Sequence, residues 1–491
     1  MTLPATFRHA PALARAARRR RARRRNRRGI AFIMVLGALT ILTVMLTELQ
    51  DESSAEFSSA LEARDALVAE YAAKSAVNLS RLLIASEPTV RTALSPLLMM
   101  VYGQPPQLPV WRFADKMLGP FNDKSGGQDF SSFSGMDLAL GKNLGFAGAS
   151  FEVKIIDEDS KINLNSASRG SSFGQQQLMR LLMSMMAGAQ YSPMFERRDT
   201  DGNFSDRQAI CAAMIDWVDP DQDTMLCDPT NNNAQSMPPE DSYYQNLKKP
   251  YQRKNAPFDS LEELRKVRGV TDDFWGTFVD PDPEKPEKRL LSVWGQSNQI
   301  NINTADPQTL LVLICNFAPM AKVCTDPAEM QKFLMITMML TSFTMGAPPF
   351  GSANMFLDLI QGKGKGILAP LLLAVGLEPV VIPSVGVAKD MIATSSKVFS
   401  IYATGIVKTG KRESRVRIHT VVDFRNAPPP GAATTGPGAQ PGSTPGATPT
   451  PQLNRSAAAS AANAAATAQQ TAIAALTRPN PAGNVVYFKM D

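Results

Sequence analysis

Five aspartates crowd one stretch of this chain, DWVDPDQDTMLCD: Asp216, Asp219, Asp221, Asp223 and Asp228. Hard carboxylate oxygens at alternate positions suit Ca²⁺, which takes six to eight of them, and Glu240 and Asp241 follow closely enough to join. The core Asp219-x-Asp221-x-Asp223 opens like an EF-hand loop. It does not finish like one, because Thr224 stands where that loop needs glycine and Thr230 where it needs glutamate. Spacing alone leaves two readings, a structural Ca²⁺ site and a solvated acidic loop. A second cluster, Asp199, Asp201, Asn203 and Asp206, has Phe204 and Ile210 at the corresponding positions and reads as a turn with exposed carboxylates.

Other chemistry is scarce. Two histidines, His9 and His419, are all the chain has, and neither a G-x-S-x-G elbow nor a P-loop is present. The glycine-rich GKGKG at 362–366 lacks a preceding strand and a following Ser or Thr, so it reads as a loop. No enzyme is expected.

The elements that position these residues start with an unusual N-terminus. Residues 1–29 hold eleven arginines and no carboxylate, and the charge stops at Gly29. The formal +6 is therefore misleading: setting those eleven aside from the 51 basic residues leaves 40 against 45 acidic ones, about −5 for a chain starting at Ile30. Ile30 to Thr47 is apolar and spans about 27 Å as a helix, near the minimum for a bilayer core. Arginine beside such a span stays cytoplasmic, so the bulk of the chain faces outward. There, Cys211, Cys227, Cys315 and Cys324 are expected to form disulfides, with the short-range pairing preferred among three connectivities. Zinc is disfavoured, since no C-x-x-C or neighbouring histidine exists.

Apolar residues continue at helical spacing after Thr47, with Pro88 as the first stop, so 48–87 extends the span as an amphipathic stalk. SFEVKIID from Ser150 alternates like a half-buried strand, and two alternating runs around KTGKRES at 396–425 predict a hairpin. Between them, 160–395 reads as helical. It contains two similar phrases, KINLNSAS and QININTADPQTLLVLI; in the second, Thr304 or Asp306 can cap a helix near Pro307. FDSLEELRKVRGV predicts a helix with a Ser260/Glu263 capping box, ended by Gly269. The methionine-rich stretches 178–186 and 333–345 are expected to be core helices. Residues 426–482 are Pro/Gly/Ala-rich and predict a disordered linker, and 483–491 a final strand.

A basic leader ending in glycine, followed at once by an apolar span and an amphipathic continuation, resembles the class III signal of type IV pilins and type II secretion pseudopilins. The resemblance implies that prepilin peptidase cuts after Gly29 and that Ile30 becomes the N-methylated first residue. Most pilins carry glutamate at the fifth mature position; here it is Met34, as the K-type minor pseudopilin typically shows. DEDSKINLN, MIDWVDPDQD, EDSYYQNLKKPYQRKNAPFDSLEELRKVRGV and ININTA, in this order, resemble that family's segments.

The implied fold is α+β. A pilin-like long N-terminal transmembrane helix and an antiparallel sheet (first strands within 88–159) carry a large all-α insertion of SAM-like or helix-hairpin-helix-like units at 160–395. The implied function is structural: the tip of a type II secretion pseudopilus, anchored in the bacterial inner membrane with its bulk periplasmic, supporting export of folded proteins. Its partners would be the I- and J-type minor pseudopilins, the major pseudopilin, the inner-membrane platform and the peptidase. The resemblance also favours Ca²⁺ at Asp219, Asp221, Asp223, Asp228, Glu240 and Asp241. The rival reading is a membrane-tethered helix-hairpin-helix protein holding DNA through Arg265, Lys266 and Arg268. The net charge and the nearby Glu262, Glu263, Asp272 and Asp273 oppose it, and no nucleic acid is expected.

Overall fold

A computed structural model describes residues 10–103, 105–121, 148–198, 202, 204–228, 241–295, 298–344, 346–364, 375–428 and 480–491, with side chains of the first helix described from Gly29 on. Asp199, Asp201, Asn203, Glu240 and residues 429–479 of the linker lie outside this set.

Helix α1 runs without interruption from Ala10 to Tyr102. It passes Pro88 and Pro96, so the stop expected at Pro88 is displaced by fourteen residues. Proline removes one backbone donor, but side chains hold the local turns together. The Ser86 hydroxyl donates to Leu83 O (2.8 Å), the Thr92 hydroxyl to Pro88 O (2.7 Å), and Glu87 ties the helix to the following chain by accepting from Leu108 N (2.9 Å). From Gly29 to Met100 the helix contains a window apolar enough to cross a membrane, and that window is not buried in the protein.

Strands β1 (Ala149–Asp157), β6 (Val398–Thr409), β7 (Arg412–Asp423) and β8 (Asn484–Met490) form one antiparallel sheet in the order β1-β6-β7-β8. The alternation seen in SFEVKIID is realised: Phe151, Val153 and Ile155 all enter the core beneath α1. There α1 presents alanine, with Ala69, Ala72, Ala73 and Ala76 all buried. The sheet answers with Gly405, where an added Cβ would sit 1.9 Å from the Ala69 carbonyl oxygen. Small residues on both sides let backbone approach backbone.

The chain between β1 and β6 builds a second core around Trp217, Phe274, Phe278, Met214, Met186 and Leu264. Its main helices are α2 (Ser172–Met186), α3 (Arg207–Val218), α4 (Pro307–Phe317), α5 (Pro327–Phe343) and α6 (Ala353–Ile360). It is not purely helical. β2 (Ile162–Asn163) pairs in parallel with β3 (Leu291–Ser292), and β4 (Ile300–Asn301) with β5 (Ile392–Ala393). These two-residue ladders are too short to leave a periodicity in the sequence.

Two further expectations fail on local grounds. Leu261–Lys266 is a 3-10 helix in which Ser260 makes no side-chain cap. Glu263 instead accepts from Asp259 N (2.9 Å) and pairs with Lys254 (3.1 Å), so the capping box is not formed. Of the two methionine stretches, α2 is core, whereas α5 buries Phe333, Ile336 and Leu340 and exposes Met335, Met338 and Met339.

Candidate functional site

The acidic run folds around one guanidinium. Helix α3 begins at Asp206, whose carboxylate accepts from Ala209 N (2.8 Å), and ends as Asp219 N donates to Ile215 O (3.1 Å). The chain then turns back over it. Arg253 reaches into this turn and donates to Asp216 O (3.0 Å) and Asp221 O (3.1 Å), while its Nε lies 3.4 Å from the Asp241 carboxylate. Gln175 of α2 offers one amide nitrogen to both Asp219 (3.1 Å) and Asp221 (3.5 Å). Asp221 also accepts from Asp223 N (3.0 Å), a local turn that keeps the aspartates together.

Electrostatics here is strained. Burial pushes the Asp216 carboxyl up to about 8, with Asp219 and Asp221 adding to the effect against the Met225 N–H and Arg253. Burial and the adjacent Asp221 likewise raise Asp219 to about 7. One oxygen of Asp219 is buried without a hydrogen-bond partner. A cation beside Asp219 and Asp221 would relieve both conditions.

The six residues named as calcium ligands are not gathered at one point. Asp241 turns to Arg253, Glu240 lies outside the described residues, and among the described residues no three His, Cys, Asp or Glu side chains converge as a metal cluster. Asp219 and Asp221 are the pair brought together. Cys211 is joined to Cys227 and Cys315 to Cys324, and the first bridge closes the acidic loop onto α3.

Around this loop the family-like phrases assemble as one wall. Trp217 is ringed by Tyr244 (5.7 Å between centroids), Phe258 (6.3 Å) and Tyr251 (6.4 Å), and donates from Nε1 to Glu263 (3.3 Å). Of the cations of the DNA reading, Arg265 and Lys266 are exposed and Arg268 is half-buried. Arg265 pairs with Asp272 (2.9 Å) and stacks over Trp275; Arg268 donates to Ser205 (3.2 Å) and Phe204 O (3.0 Å) and covers Tyr243.

The two similar phrases turn out to be two copies of one device. In the first, Asn163 Oδ1 accepts from Asn165 N (3.0 Å), and Asn165 exchanges hydrogen bonds with the Phe258 backbone, accepting at 2.7 Å and donating at 3.0 Å. In the second, Asn301 Oδ1 accepts from Asn303 N (3.0 Å), and Asn303 does the same with Phe350, at 2.9 Å each way. Each asparagine thus staples a distant phenylalanine backbone beside a short parallel ladder. The Asn-x-Asn spacing was the visible signal; the phenylalanine partners, 93 and 47 residues away, were not. Asp306, not Thr304, caps α4 by accepting from Gln308 N (2.9 Å).

Residues 160–277 match the family model described as type II secretion system (T2SS), protein K. Among solved structures, the chain is similar to one in the crystal structure of the GspK-GspI-GspJ complex from the enterotoxigenic Escherichia coli type 2 secretion system, at 15% identity and a TM-score of 0.37, covering 75% of this chain and 94% of that one. Comparison with curated proteins found no match. The segment that is similar to protein K of the type II secretion system is thus the one that holds the acidic run and its aromatic wall, in a chain whose fold is α+β, with a long apolar N-terminal helix and an antiparallel sheet.

Proposed function

We propose that this protein caps the periplasmic pseudopilus of a type II secretion system and so supports export of folded proteins across the outer membrane. Prepilin peptidase would cut after Gly29 and Ile30 would be N-methylated. The span 30–47 would lie in the inner membrane with the rest of the chain periplasmic. The stalk would pack with the I- and J-type minor pseudopilins above the major pseudopilin and the inner-membrane platform. The observation that carries this reading is the placement of the second core, which leaves the sheet at the end of β1 and returns at the start of β6 as one large insertion; a body of that size would crowd its neighbours if repeated along a filament. Met34 fits the same position, since a leading subunit has no neighbour ahead whose amino terminus needs a carboxylate. Quantitative mass spectrometry of isolated pseudopili tests the proposal. About one copy per filament is expected; copies recurring along the shaft would overturn it. N-terminal sequencing of the membrane-extracted protein should begin at Ile30.

We further propose that Ca²⁺ sits at the acidic loop, with Asp219 and Asp221 as its protein carboxylates. When bound it would supply positive charge to a cluster that repels itself, holding the turn after α3 in one conformation. Chelation should then lower the melting temperature of the protein and restored Ca²⁺ should recover it; an unchanged melting curve removes calcium.

A further inference from the structure

The chain crosses between the sheet and the inserted body twice, at 158–161 after β1 and at 394–397 before β6, and side contacts such as Lys154–Glu287 (2.6 Å) and Trp294 on Tyr487 (4.7 Å) flank these crossings. Three consecutive acidic residues, Asp157, Glu158 and Asp159, occupy this neck, and all three are wired to different elements. The Asp157 carboxylate accepts the hydroxyls of Ser396, on the returning segment, and of Thr304, inside the body, and receives Asn301 Nδ2 at 3.4 Å. Glu158 is buried between Lys161 (3.1 Å) and the hydroxyl of Ser292 in β3 (2.7 Å). Asp159 accepts from two successive backbone amides, Lys397 N (2.7 Å) and Val398 N (3.1 Å), while its own carbonyl accepts from Asn301 N (2.8 Å).

Groups on the segment between α1 and β1 close the joint from the other side. Gln107 brackets Ser396 with both ends of its amide, donating to Ser396 O (2.9 Å) and accepting from Ser396 N (2.6 Å). Arg112 donates to Thr304 O (3.3 Å). A linker that merely connected two bodies would be exposed and solvated. Here Asp157, Glu158, Lys161, Asn301 and Ser396 are all buried.

We propose that Asp157, Glu158 and Asp159 are the positioning residues that lock the inserted body at one fixed orientation on the stalk-borne sheet. Carboxylates serve this purpose because each accepts several hydrogen bonds at once, and a buried donor left without its acceptor is costly. The joint itself does not depend on the tip reading. Its consequence, that the cap moves as one piece with the stalk, does rest on that reading.

The test is the distance distribution between spin labels at Glu62 on α1 and Met320 in the inserted body, both exposed, measured by pulsed electron resonance on the full chain in detergent. The parent should give one narrow distribution. Asp159→Ala, which strips the acceptor from two amides, should broaden it by a factor of about two or more, and Asp159→Asn, which keeps one acceptor oxygen, should restore most of the narrowness. A distribution equally narrow in Asp159→Ala, with near-ultraviolet circular dichroism unchanged, would overturn the proposal. If Asp159→Ala does not fold, Ser396→Ala, which removes a single hydroxyl, is read by the same criterion. Copy number in isolated pseudopili judges the tip reading separately, so failure of one does not imitate failure of the other.

Discussion

At its closest approach to the sheet α1 presents alanine, met by Gly405, whereas the inserted body fills its centre with tryptophan, phenylalanine and methionine and adds two disulfides and two asparagine staples. The difference follows from what each must hold. The stalk is one long helix, and close backbone approach gives it a broad, stiff contact with three strands. The inserted body is built from helices of 17 residues or fewer and two-residue ladders, so large side chains and cross-links must supply what helix length does not.

Breaking each packing mode separately sharpens this contrast. Gly405→Val should have the largest effect, since a branched side chain cannot enter where even a Cβ meets the Ala69 carbonyl; a loss of about 4 kcal/mol or more is expected in denaturant unfolding. Unfolding confined to the inserted body would contradict the assignment of Gly405 to the stalk contact. Replacing Cys211 and Cys227 by alanine should cost about 3 kcal/mol, and Cys315 with Cys324 about 2.5, in the order of their loop lengths of 16 and 9 residues. Equal losses would point to something other than loop closure.

Asn165→Ala and Asn303→Ala should each cost about 2 kcal/mol, because each strands a buried phenylalanine N–H. Hydrogen exchange should quicken at Phe258 in one variant and at Phe350 in the other. Smallest near neutral pH, and growing only as the solution is acidified, is an effect in the sheet body. His419, stacked on Tyr402 at 4.1 Å, is held down to about 4 by burial. A depressed histidine stabilises the fold above its unfolded value and loses that contribution as pH falls from about 6.5 toward 4. His419→Phe should therefore flatten the melting curve's pH dependence in this window by up to one proton; an unaltered slope would place the titration elsewhere.

Legibility followed the range of the interaction. The apolar span, the alternation of SFEVKIID and the hairpin turn near Gly410 are set by neighbours in the chain and were readable there. The short-range disulfide pairing was a preference among three, and the fold joins those same pairs. Helix α1 overran Pro88 because hydroxyls and Glu87 hold the turns around it. Ser260 and Glu263 had the spacing of a capping box, but Lys254 and the Asp259 amide captured the glutamate.

Sequence alone settled that an arginine-rich start meets an apolar rod at Gly29, that two Asn-x-Asn phrases recur, and that aspartates are concentrated after residue 215, because composition and periodicity are properties of the chain itself. Only the tertiary structure decided which aspartates meet, that Arg253 lies among them, and that Asp157, Glu158 and Asp159 bind two bodies together. Those outcomes depend on groups many residues apart being brought within hydrogen-bond distance, and no local pattern encodes where a distant partner will arrive.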